Sequence, residues 1–386
     1  MTALTPAAEH RTPPDPDETP RRVSYLFGAG ATQGAVQYAG SIEKLVMPGL
    51  IERLQDSTRN AYVEDFSDHA GLKHLVNDVF DDSTDFEHLL TFLADTPSQR
   101  YKDFAERLKK VFSTVLRRAL AGVRSELGDQ HSALYAALLD MHEVPGAGEH
   151  LVGFLTLNYD NFLEHAIEHA LGRTVDYGVE VANPKSCDGQ APISVLKLHG
   201  SFSWHSMWPI EVAEESDVGL WIPPGIRKAK GEYPFNAIWG RARELLDCDV
   251  LRIVGCNLGP NDWDLVSLLF TTMHGRESAQ PYEIEVIGRP ANAEKMSKTF
   301  PYLNSRSLLE IRELGAQFIA EVLGTHPTDF SDLNQAEQER ALDAAATKIT
   351  NPFHHWLRLK GELMHRDLES ISTERDLFRR FIEEST

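Results

Sequence analysis

Short apolar runs that end on glycine or a polar residue alternate along the chain with stretches in which apolar residues return every three or four positions. The first run, Val23–Phe27, leads directly into G-A-G-A-T-Q-G, Gly28 to Gly34. Val36, Ala39, Ile42, Leu45 and Val46 then recur at helical spacing. Runs of strand length follow at Leu151–Leu157, Ser194–Leu198, Val250–Val254 and Ile284–Ile287, with helical stretches near 161–171, 236–247 and 263–274 between them. Strand, helix and strand in alternation predicts βαβ units and a largely parallel sheet. From about 50 to 145 the pattern is helical. Phe86, Leu89, Leu90 and Leu93 follow Asp85, a candidate cap. Phe104, Leu108, Val111, Phe112, Val115, Leu116 and Leu120 form a longer stripe whose expected role is core packing. The expected fold is α/β: a parallel sheet with helices on both faces, a large helical insertion after the first strand, and C-terminal helices over Gln335–Thr347, Trp356–Leu363 and Arg375–Glu383.

Composition refines this picture. Five prolines (Pro6, Pro13, Pro14, Pro16, Pro20) among polar residues predict a disordered leader over 1–22. One α/β domain over 23–325 and a helical region over 326–386 complete the division. A chain of 386 residues buries enough surface for a full core without disulfide or metal staples. Its formal charge of −20 argues against an extended electrostatic grip on nucleic acid or on an anionic membrane. The three cysteines, Cys187, Cys248 and Cys256, form no CxxC pair. No apolar run approaches the roughly 18 residues of a membrane span, and the leader lacks a signal peptide's apolar core. A reduced, cytoplasmic protein is expected.

Four strand ends carry groups capable of chemistry. The strand–glycine–helix pattern at Gly28, Gly30 and Gly34 suits a Rossmann-like site, in which a phosphate meets backbone N–H groups and a helix dipole without Cβ interference. A tight turn with no ligand fits the same residues. The dehydrogenase form would need GxGxxG and a second strand with an acidic residue about 20 positions on, whereas here helix follows. T-L-N-Y-D-N-F places Asn158 and Asp160 at the end of an apolar strand, either toward a ligand crevice or as caps of the helix at 161–171. V-L-K-L-H-G-S-F-S-W closes another strand with His199, a candidate general base, beside Gly200, which permits a sharp turn. I-V-G-C-N-L-G-P-N-D-W-D offers Gly255 and Asn257 for a second phosphate or a ribose, with Asp262 and Asp264 as helix-start acids. His165 and His169 have the spacing of a metal pair, but position 166 is alanine, so HExxH is absent. A solvated helix face is expected there.

In their order these motifs resemble the SIR2-like branch of the sirtuin superfamily. The resemblance runs through Gly28–Gly30, Asn158 and Asp160, His199–Gly200 and Gly255, over roughly 23–290. T-L-N-Y-D, K-L-H-G-S and the helix start D-F-E-H-L-L (Asp85 to Leu90) are closer to the prokaryotic defence-associated form than to protein deacylases. Thr32 stands where the family often carries serine, and Gly255-Cys256-Asn257 replaces the usual Gly-x-Ser or Gly-x-Thr. The two CxxC pairs of a deacylase zinc site are missing, as is its Asp-Phe-Arg segment after the glycine turn.

The resemblance implies that 23–325 is a SIR2-like NAD-binding domain with NAD as substrate and no metal. The implied reaction is hydrolysis of NAD to nicotinamide and ADP-ribose, in abortive anti-phage defence. It places Asn158, His199 and Asp160 in catalysis, and Gly28, Ala29, Gly30, Thr32, Gly200, Gly255, Asn257 and Arg289 around the nucleotide. It further implies a homo-oligomer and a protein partner such as a HerA-type ATPase or a short Argonaute, with 326–386 serving assembly or docking. Two other classes stay open: an NAD-dependent protein deacylase, and a non-catalytic NAD or ADP-ribose sensor that regulates a partner.

Overall fold

A computed structural model describes residues 19–41, 43–46, 86–143, 148–182, 184, 190–205, 209–212, 219–224, 231–256, 258, 262–275, 282–288, 309–313, 351–354 and 356–357. Asp85, Cys187, Asn257, Arg289, most of the leader, the first part of the helical insertion and most of the C-terminal helices lie outside the described residues.

Among the described residues seven strands form one sheet in the order β3-β4-β2-β1-β7-β8-β9, and every neighbouring pair is parallel. These are β1 (Arg21–Phe27), β2 (Glu149–Thr156), β3 (Val175–Asp176), β4 (Ile193–Lys197), β7 (Val250–Val254), β8 (Tyr282–Ile287) and β9 (Leu309–Glu313). A separate two-stranded hairpin joins β5 (Gly200–Ser201) to β6 (Leu220–Trp221). The five strands expected from apolar runs are all present. The short β3, the hairpin and β9 are additions.

The sheet is buried on both faces because successive side chains of each strand point opposite ways. On one face Tyr25, Phe27, Phe154 and Val195 meet α1 (Ala29–Tyr38), the insertion helices and α5 (Phe162–Ala170). The insertion comprises α2 (Phe86–Asp95), α3 (Gln99–Leu127), a 3-10 turn (Gly128–Ser132) and α4 (Ala133–Glu143). Its stripe from Phe104 to Leu120 is buried, as its spacing predicts. On the other face Leu26, Leu155, Leu196, Leu251 and Ile253 pack under α6 (Phe235–Leu246) and α7 (Trp263–Gly275).

A cluster of charged groups lies inside this layered core, around Arg252. Arg252, in the middle of β7, sends its guanidinium to Glu285 at 2.6 Å, to both Glu149 oxygens at 2.7 and 2.6 Å, and to the Tyr25 hydroxyl at 2.9 Å. Trp356 covers it, with the ring centroid 5.2 Å away. Burial opposes the arginine's charge, but Tyr25, Glu285 and Glu149 hold it protonated.

The chain leaves β1 toward β2, β4 and β3, then crosses to β7, β8 and β9 on β1's other side. The strand order therefore reverses beside β1, and the crevice outside the carboxyl ends of the strands there is where parallel sheets hold ligands.

Candidate active site

The turns after β1 and β7 are locked together. Gly28 N–H donates to Val254 O at 3.0 Å, Gly30 N–H to Gly255 O at 2.8 Å, and Gly255 N–H to Ile287 O at 3.0 Å. A Cβ on Gly30 would lie 2.8 Å from Gly255 Cα. Gly255 has φ of +58°, and a Cβ there would sit 2.1 Å from Ala31 N. These glycines let two backbones touch. Their N–H groups are engaged by β7 and β8, so the expected cradle of glycine amides is narrowed to the opening of α1 around Ala29. That helix start has no side-chain cap and no acidic residue in its first turn, which leaves its positive dipole end unopposed.

Thr32, one turn into α1, ties this helix to β2. Asn158 Nδ2 donates to Gly28 O at 2.9 Å and to Thr32 Oγ1 at 3.0 Å. Thr32 Oγ1 donates to Asp160 Oδ2 at 2.8 Å, and the Tyr135 hydroxyl lies 3.3 Å from Thr32 Oγ1. Burial raises the Tyr135 pKa, so it stays a neutral phenol. Asp160 Oδ1 accepts the Phe162 N–H at 3.1 Å. Of the two capping candidates, Asp160 thus serves the start of α5, and Asn158 reaches across to α1.

Behind this turn lies Lys197, which is fully buried on β4. Its ammonium bonds to Asp160 O and pairs with Glu164 at 2.9 Å. Burial raises the Glu164 pKa, and Lys197 works against that rise. One residue past β4, Leu198 N–H donates to Thr156 O, and His199 follows.

His199 is buried at the start of a turn that Gly200 makes possible. Gly200 has φ of +76°, and a Cβ would meet Leu220 O at 2.4 Å. His199 O accepts Ile222 N–H at 2.8 Å from the strand opposite. The Tyr159 ring lies 6.4 Å from the imidazole, and its hydroxyl donates to Ile222 O at 2.8 Å. Burial raises the Tyr159 pKa as well. The Asn158 and His199 turns are thereby held as one unit.

These residues surround a cavity of about 820 Å³, within the range of roughly 300–1,000 Å³ for small-molecule sites. Gly28, Ala29, Gly30, Thr32, Asn158, Asp160, His199 and Gly255 all line it. Gly200, expected around the nucleotide, faces Leu220 and Phe235 and is not among the lining residues. Asn257 and Arg289, also expected around the nucleotide, lie outside the described residues. Two walls of the cavity carry no functional signal in the sequence. One is the apolar flank of α3, Phe112, Leu116 and Leu120, whose spacing signals only burial. The other is Asn351–Phe353 from the far end of the chain; an Asn-Pro pair signals a helix start but not what it packs against.

The histidine pair at 165 and 169 departs from the expected solvated face. Its rings stack at 4.0 Å, but His165 also packs on buried His131 at 4.7 Å and bonds Ser132 Oγ at 3.0 Å. The apolar side of α5 turns this part of the helix into the 3-10 turn.

Residues 152–308 match the family model described as the SIR2-like domain. No curated protein matches the chain. Among solved structures, one described as a structural basis for the mechanism and regulation of Sir2 enzymes shares 13% identity, with 88% of this chain and 94% of that chain covered and a TM-score of 0.29. A Sir2 point mutant solved with a peptide and NAD also shares 13% identity, with 74% and 93% covered and a TM-score of 0.27. Residues 152–308 are thus similar to the SIR2-like domain, and the strand ends bearing Asn158, His199 and Gly255 all fall inside the matched span.

Proposed function

We propose that this chain is an NAD glycohydrolase that cleaves NAD to nicotinamide and ADP-ribose. One observation carries the reading. A buried histidine, a clamped asparagine and an uncapped helix N-terminus converge on a single cavity at the carboxyl edge of a parallel sheet, and the segment that carries the histidine and the asparagine is similar to the SIR2-like domain.

The pyrophosphate binds at the opening of α1, by Gly28, Ala29, Gly30 and Thr32, where the helix dipole favours negative charge. Gly255 and Asn257 help to hold it, and Arg289 serves the adenosine side. In the reaction the bond between ribose C1′ and the pyridinium nitrogen breaks, and its electron pair leaves with neutral nicotinamide. A water oxygen bonds to C1′ and its proton passes to His199, the general base. Both N–H groups of the Asn158 amide are directed at Gly28 O and Thr32 Oγ1. Its Oδ1 is then the end that accepts from the water or a ribose hydroxyl and fixes the angle of attack. Asp160 holds Thr32 and adds negative charge near the cationic transition state.

The domain spans 23–325 in this reading, and 326–386 contributes to assembly of a homo-oligomer and to docking of a partner such as a HerA-type ATPase or a short Argonaute. The biological role is abortive anti-phage defence through NAD loss. The test is NAD consumption by the purified chain over a range of concentrations, beside Asn158→Ala and His199→Ala. Release of nicotinamide and ADP-ribose that disappears in both variants is expected. O-acyl-ADP-ribose as product would make the protein a deacylase instead. Tight NAD binding without turnover, with the partner present, would make it a sensor.

A further inference from the structure

Gly34 closes the glycine motif of the β1–α1 turn, yet it stands inside α1, where glycine weakens a helix relative to alanine. Its missing side chain has a particular neighbour. A Cβ on Gly34 would lie 2.8 Å from Asn351 Oδ1. Asn351 Nδ2 donates to Gly34 O at 2.6 Å, across 317 positions of sequence. The same Asn351 is buried, and its Oδ1 accepts the His354 N–H at 3.1 Å, capping the helical turn that opens at Pro352.

The rest of the segment packs on α1, β1 and α4. Phe353 packs on Phe27 and Tyr135 at 5.9 and 5.8 Å, and the His354 ring packs tilted on Tyr38 of α1 at 4.7 Å. Asn351, Pro352 and Phe353 share the cavity wall with Gln33 and Gln37 of α1. The turn after β7 therefore fixes α1 at its N-terminus, and Asn351 fixes it at mid-length.

We propose that Asn351 is a positioning residue of the nucleotide site, holding α1 so that its N-terminus faces the pyrophosphate. This rests on the NAD reading above. Ligand binding and docking of residues 351–357 then strengthen each other, because coupling between two binding events is reciprocal.

The test uses the full chain with ADP-ribose as probe. In Asn351→Asp the acceptor toward His354 N–H is kept, while the donor to Gly34 O is lost and a carboxylate faces that carbonyl. Calorimetric titration should show ADP-ribose binding weakened by about tenfold. Hydrogen exchange on the wild-type chain supplies a readout that a merely structural contact would not move: ADP-ribose should slow exchange at the amides of His354, Trp356 and Leu357, which are not among the lining residues, together with those of α1. This second measurement decides the matter if the variant fails to fold. Unchanged affinity in the variant, or exchange at His354, Trp356 and Leu357 indifferent to ligand, would overturn the inference and leave the nucleotide reading standing. Failure of the wild-type chain to bind ADP-ribose would overturn the nucleotide reading itself, and the inference with it.

Discussion

Two polar clusters are built into the same sheet and do opposite things. Around Arg252 each partner is a strand residue or a ring from the core, and the guanidinium spends its donors on two carboxylates and a phenol. Around Asn158 the bonds run between turns, and the cluster opens on a cavity of about 820 Å³. In the first case polarity closes on itself and fixes which strands are neighbours. In the second it positions groups for something outside the protein. Burial is similar at both, so the difference lies in where the donors and acceptors point.

Variants should separate the two clusters by what they change. The largest effect is expected at the cavity: His199→Ala and Asn158→Ala should each lower NAD turnover by about 10²–10⁴-fold, with a small change in unfolding free energy. Steady-state rates beside denaturant titrations check this, and a large stability loss in His199→Ala would erase the contrast. Next comes Arg252→Met, which leaves Glu149 and Glu285 buried without their cation and should destabilise the fold by about 3–5 kcal/mol. Urea unfolding followed by circular dichroism measures it. Gly255→Ala tests the junction of both effects. Its positive φ alone costs on the order of 1–3 kcal/mol, and displacement of the α1 start should also raise the KM for NAD.

The smallest effect is a pH dependence. Burial lowers the pKa of His131 and of His165 below the ordinary 6.5, with the Gly128 carbonyl opposing at the first and the neighbouring His131 and His169 assisting at the second. As pH falls below about 6.5 the unfolded chain takes up protons that the folded chain refuses, so stability drops from there toward the depressed folded values. Glu164, raised by burial, acts in the opposite sense. A melting series from pH 7 to 5 should show the wild-type chain losing ground to His165→Asn. Parallel curves would mean that the histidines titrate alike in both states.

Much of the site was legible because strands buried on both faces read as apolar runs, and the first residue after each run is where polarity is tolerated. Gly28, Asn158, His199 and Gly255 all stand at such breaks. Arg252 was not legible in this way: V-L-R-I-V reads as a buried strand with one misplaced charge, and its partners come from three other strands. The C-terminal contact was hidden for a related reason. Nothing near Asn351 in sequence indicates that its carboxamide meets the backbone of Gly34.

The sequence by itself determined the five main strands, the helices between them and the polar breaks at the strand ends, because apolar periodicity and turn chemistry act over a few residues. Only the tertiary structure decided which breaks share a cavity, which amides are already engaged by neighbouring strands, and that α1 is held by a segment 317 positions away. Those outcomes depend on strand order and on close packing between backbones, which pair residues without regard to their separation along the chain.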